Sequence, residues 1–91
     1  MAMQYDVKAM ALADGDDVGG PVRLKGAVIS YEGGGTIQLT DGAGGAVVFE
    51  FTAPSTTDGA INVIIPGEGI RCFNNLYAED VTDATITVFY G

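Results

Sequence analysis

Turn signals interrupt this chain about every ten residues, and no stretch between them holds a helical period. Asp14-Gly15, Gly19-Gly20-Pro21, Gly33-Gly34-Gly35, Asp41-Gly42, Asp58-Gly59, Pro66-Gly67-Glu68-Gly69 and Asn74-Asn75 punctuate it from end to end. Proline presets φ, and glycine supplies the positive φ that many turns need. Between these signals apolar residues alternate with polar ones, as half-buried strands require. The expected fold is therefore all-β: a small antiparallel β-sandwich or barrel of about seven to eight short strands. Residues 1–91 form a single β domain, near the low end for independent folding.

The stretch Ala60–Leu76 reads as the corner around which the chain is organised. Ile61, Val63 and Ile65 share one strand face, Pro66–Gly69 turns the chain, and Ile70–Phe73 follows as a second apolar run. If that face is core, Val63→Asp alone prevents folding by burying an unpaired charge.

Earlier in the chain, Gln4–Leu12 is expected to be a strand, with Tyr5, Val7, Ala9 and Ala11 on one side. Asp14–Pro21 reads as a loop, and Val22–Tyr31 as a strand with Gly26 marking a bulge or close approach. Glu32–Gly35 reads as a turn into Thr36–Thr40. Asp41–Gly45 is then the hairpin turn into Ala46–Thr52, with Val47, Phe49 and Phe51 inward and Glu50 outward. At the end, Leu76–Glu79 is a short strand, Asp80–Asp83 a turn and Ala84–Tyr90 the last strand.

Composition narrows the function. A net charge of −8 and only Lys8, Arg23, Lys25 and Arg71 as bases argue against nucleic acid and anionic lipid. No apolar run reaches membrane-spanning length, and Met1–Lys8 lacks the basic head and apolar run of a signal peptide, so a cytoplasmic origin is the default. The hydrophobic fraction is 47% with only 18% charged residues, which leaves apolar surface for a partner or for copies of itself.

Catalytic inventory is thin. There is no histidine, and Cys72 is the only cysteine, so neither a nucleophile–histidine pair nor a zinc site can be assembled. Cys72 reads as a small core residue. The glycine clusters feed strands and carry no lysine, unlike phosphate-cradling loops. Asp14-Gly15-Asp16-Asp17 begins like a calcium loop, with Gly19 at the sixth place. Lys25 stands at the twelfth, where a glutamate is required, so a solvated acidic turn is the better reading and a looser calcium site the weaker one. Glu32, Glu50, Glu68 and Glu79 are carboxylates for a paired-acid cleft, but sequence places no two together. The expectation is a non-enzyme without cofactor. Tyr5, Tyr31, Tyr77 and Tyr90 are the tyrosines for stacking or interface packing. The terminal strands are candidate sheet edges, which makes Tyr5, Val7, Phe89 and Tyr90 the candidate contact residues.

Three segments carry a resemblance: Met-Ala-Met-Gln-Tyr-Asp-Val-Lys-Ala at the start, Ile65-Pro66-Gly67-Glu68-Gly69-Ile70, and Ile86-Thr87-Val88-Phe89-Tyr90-Gly91, with Leu76-Tyr77-Ala78 between the last two. With this layout the chain resembles small structural proteins of tailed bacteriophages, especially marine and cyanobacterial ones. The resemblance implies a virion component made in the host cytoplasm. Its first form is a capsid decoration (cement) protein, a homo-oligomer whose partner is the major capsid protein or another virion protein. Its second is a tail or fibre module binding a host glycan through Tyr31, Tyr77 and loop carboxylates.

Overall fold

The computed structural model describes residues 8–91, and its regular structure is antiparallel sheet throughout. The strands are β1 (Lys8–Leu12), β2 (Asp17–Gly19), β3 (Val22–Asp41), β4 (Val47–Thr52), β5 (Gly59–Ile64), β6 (Ile70–Cys72) and β7 (Asn75–Tyr90). Tyr5 and Val7 lie outside the described residues. The all-β expectation holds, but two of the strands are not short.

The seven strands make four lanes. β3 and β7 pair along nearly their whole length, from Leu24↔Tyr90 to Asp41↔Leu76. On the far side of β7, β1 and β2 follow one another along its two ends. On the far side of β3, β4, β5 and β6 do the same. Rising about 3.3 Å per residue, a straight β3 would run roughly 65 Å. The molecule's longest dimension is 45 Å, so its 20-residue strand must fold back.

The crease is where the β3–β7 register slips, between Tyr31 and Thr36. Asp83 adopts φ 53° there, and Gly34 φ 81°. The four-lane ribbon doubles over into two layers. Layer I holds β1, the end of β7, the start of β3, and β5 with β6. Layer II holds β2, the start of β7, the end of β3, and β4. The two ends of β3 then meet: Cys72 pairs with Val22, Leu76 pairs with Asp41, and only Phe73–Asn75 separate them. The Asp41 carboxylate ties the closure by accepting hydrogen bonds from the Phe73 and Asn74 amides at 3.0 and 2.7 Å.

Directly opposed residues in an antiparallel pair point to the same face, so the core can be read in rows. Leu12, Ile86, Ile29 and Ile61 make one row across layer I; Ala78, Leu39 and Phe49 make one across layer II. Leu24, Ile29, Ile37, Leu39, Leu76 and Val88 are fully buried. Cys72 is buried as well, and burial together with nearby Asp41 pushes its thiol up to about 11, so it is inert packing.

Several expected boundaries are corrected. Glu32–Gly35 and Asp80–Asp83 are not turns between strands; both lie inside continuous strands that bend at the crease. Asp17–Gly19, expected in a loop, is β2. Val47 is half exposed rather than inward, because a register shift between Leu39 and Thr40 hands its place to Val48, which packs on the core. Gly26 does mark both a bulge and a close approach: the register slips between Leu24 and Gly26, and a Cβ there would lie 2.8 Å from the Val63 carbonyl oxygen.

Ile61, Val63 and Ile65 do share the inward face, but Ala60–Leu76 is not the organising centre. β5 and β6 lie in an edge lane, and all three residues are only half-buried. An aspartate at position 63 can reach solvent past the edge. Val63→Asp is therefore expected to fold cooperatively with a loss of about 1–3 kcal/mol, read from a urea unfolding midpoint. A chain with no cooperative transition would contradict the half-buried edge placement.

Candidate interaction faces

The doubled ribbon turns two faces outward, and they differ in chemistry. Layer II presents the row Asp80, Gln38, Glu50, flanked by Thr36, Thr52 and Thr82, with Asp17 beside Tyr77 and Glu79 in the adjacent bulge. The carboxylates are held. Asp80 accepts from the Thr82 and Thr36 hydroxyls at 2.6 and 2.8 Å. Glu50 accepts from Gln38 at 3.3 Å, and Glu79 from the Gly44 amide at 2.9 Å.

Among the described residues, layer I presents no charge in its middle. Reading outward rows from the register, Ala9, Phe89, Gly26 and Ile64 are followed by Ala11, Thr87, Val28 and Asn62, then by Thr85, Ser30 and Ala60. Ile64 is 84% exposed and Val28 42%, high values for large aliphatic side chains. Phe89 leans over Gly26, its ring carbon 3.8 Å from where a Cβ would sit. No single strand carries enough apolar residues outward to announce this patch; four lanes in register build it.

Charge returns at both ends of this face. At one end Arg23 stands directly opposite Arg71, whose guanidinium lies 4.9 Å from the centre of the exposed Phe73 ring. Like charges so opposed are mutually unfavourable by a few tenths of a kcal/mol to about 1 kcal/mol. An open cavity of about 310 Å³ lies beside them, lined also by Pro21, Val22 and Gly91. At the other end the lanes run out on exposed Glu32, Asp58 and Asp83.

The acidic turn at Asp14–Asp17 works for the backbone. Asp14 accepts from the Val81 amide at 2.8 Å, Asp16 from the Ala13 amide at 3.0 Å, and Asp17 from the Asn75 side chain at 2.9 Å. Among the described residues no group of three or more acidic, histidine or cysteine side chains is placed to hold a metal ion. Glu32 lies at the crease, Glu50 and Glu79 on layer II, and Glu68 in the turn before β6, so the four glutamates do not converge on one cleft.

The tyrosines also separate. Tyr31 packs on Phe51, with ring centres 5.2 Å apart, and Tyr90 packs on the core. Tyr77 lies on layer II beside Asp17, away from Tyr31. Of the expected contact residues, Phe89 faces outward in the neutral patch, whereas Tyr90 faces inward. Sequence reasoning did not single out Val28 and Ile64, the most exposed large residues of that patch. Their strand neighbours Ala27 and Val63 are also apolar, so alternation gave no contrast between in and out.

Hydrogen bonds hold two aspartates below the usual carboxylate range: Asp41 through the Asn74 and Phe73 amides, Asp80 through the Thr82 and Thr36 hydroxyls. A carboxyl depressed by folding adds stability above its unfolded value, about 3.9. That stability is lost as pH falls through the folded value. Thermal stability is expected to hold from neutral pH down to about 5 and then fall. Asp41→Asn should lower the melting temperature at neutral pH and flatten the acid decline, measured by calorimetry across that range. No family model, no curated protein and no solved structure matches the chain.

Proposed function

We propose that this chain is a non-enzymatic structural protein of a tailed-bacteriophage virion, a capsid decoration (cement) protein that seats on the assembled shell and braces neighbouring subunits. The observation that carries the reading is the division of its outer surface. Among the described residues one broad face is uncharged at its centre, with exposed Val28 and Ile64 among small and neutral polar residues; the other is rich in carboxylates, and both lie on one doubled sheet. A surface so divided suits a plate held between partners.

In this reading the neutral face serves assembly into a homo-oligomer, and the acidic face meets basic residues of the major capsid protein. The resemblance of the three segments around Met1, Ile65 and Ile86 to phage structural proteins supports the same assignment. The test is co-sedimentation of purified protein with shells stripped of it. Saturable binding, weakened by salt and by Glu50→Lys, is the expected result, since exposed charge attraction is screened within about 10 Å at 0.1 M salt. Protein left entirely in the supernatant at low salt would overturn the reading.

A further inference from the structure

The outer face of layer I is complementary to itself. Along β3, discounting the bulged Lys25, the outward residues Arg23, Gly26, Val28 and Ser30 fall in successive rows of the register, and Glu32 follows next along the strand where the crease begins. Val28 is the middle row. Rotation by half a turn about an axis lying in the face, across the strands at Val28, keeps each lane over itself and exchanges the ends.

The exchange matches size with size and charge with charge. Ile64 of one copy falls over Ala60 of the other, both in the β5 lane, and Phe89 over Thr85 in the β7 lane. Large residues thus meet small ones, as interdigitating sheets require. Arg23 falls toward Glu32, and Arg71 toward Asp58, which lies one residue before β5 and whose Oδ1 also accepts the Gly33 amide at 2.8 Å. The like-charge pair Arg23 and Arg71, unfavourable within one copy, gains two acidic partners from the next. Packed sheets cross at about 30°, which leaves this order intact near the axis.

We propose that a second copy of this chain covers the face in this end-for-end arrangement. Three lanes about 4.8 Å apart over rows spanning about 26 Å, with the shorter β1 lane beside them, give roughly 450 Å² in plan per copy. Two copies then bury roughly 900 Å², near the lower limit for specific interfaces. A basic partner would be drawn to layer II instead, where the carboxylates stand. The contact deepens the decoration-protein reading by naming how copies join, and it stands or falls separately from shell binding.

The test is mass in solution by sedimentation equilibrium, at low and moderate salt. The wild-type chain is expected to be a dimer or an even-numbered assembly of dimers. Val28→Glu places two carboxylates at the axis and should raise the dimer dissociation constant about a hundredfold or more. Its melting temperature should shift little beyond what lost dimerisation explains, because Val28 is already 42% exposed within one copy. Arg23→Glu should weaken the dimer, and Arg23→Glu with Glu32→Arg should restore it to within a few-fold of wild type. A wild-type monomer at millimolar protein would overturn the proposal, as would a dimer indifferent to Val28→Glu. Failure of the charge swap to recover the dimer would overturn the end-for-end arrangement. A wild-type dimer that leaves stripped shells bare would keep this interface and remove the decoration reading instead.

Discussion

Gly35→Ala is expected to destabilise the protein by about 3 kcal/mol, and to lower its urea unfolding midpoint by a large part of the wild-type value. Gly35 is buried in the crease of β3, and its carbonyl accepts the Ala53 amide at 2.8 Å. A Cβ at this position would land on the Asp83 carbonyl oxygen of β7. The Asp83 oxygen is backbone and a Cβ is fixed by the backbone that carries it, so no rotation relieves the clash. Relief requires opening the β3–β7 pair at the one place where the ribbon doubles. Domains of this size hold only about 5–15 kcal/mol in total. Gly34→Ala is the matched control: a Cβ there meets open space and pays only for φ 81°, about 1–2 kcal/mol. Urea unfolding of the two variants separates them. Equal losses would mean that the crease is shaped by backbone conformation alone and not by the contact with Asp83.

That crease marks the limit of what the residues alone disclose. Ile61, Val63 and Ile65 were legible as one face because strand side chains alternate, and their alternation depends on nothing distant. Glu32–Gly35 was not legible. Its glycines signal a change of direction equally for a hairpin turn and for a bend inside a paired strand. The choice is made by β7, which lies more than 40 residues away and pairs with β3 on both sides of the bend. Asp80–Asp83 is the same ambiguity seen from the partner strand. Val47 failed for a smaller reason: one bulge exchanges the faces of neighbouring valines, and two adjacent valines give no contrast to reveal it. The neutral face was hidden more deeply, since each lane contributes only two or three of its residues. Excess apolar composition foretold that a patch would exist somewhere but not where.

Ile29→Asp is expected to abolish folding. Ile29 lies in the central lane of layer I, fully buried, between Ile86 on one side and Ile61 on the other, with Leu12 completing the row. Every neighbour in that row is aliphatic, so none offers a hydrogen bond or a charge to a carboxylate. An unpaired ion in such a place costs far more than a domain of this size holds in reserve, and protonation still leaves a buried acid without partners. The transfer of the isoleucine side chain out of water, about 1.5–3 kcal/mol, is lost as well. Ile29→Val removes one methylene and should cost only about 0.5–1.5 kcal/mol. Circular dichroism and urea titration of the three proteins provide the measurement. Val63→Asp belongs beside them, for it introduces the same carboxylate one lane away, on the half-buried edge. Aspartate at 29 should leave no cooperative transition, while aspartate at 63 should keep one at a lower midpoint. Cooperative folding of Ile29→Asp would mean that water reaches the centre of layer I, and that the two layers do not close over the Leu12–Ile61 row.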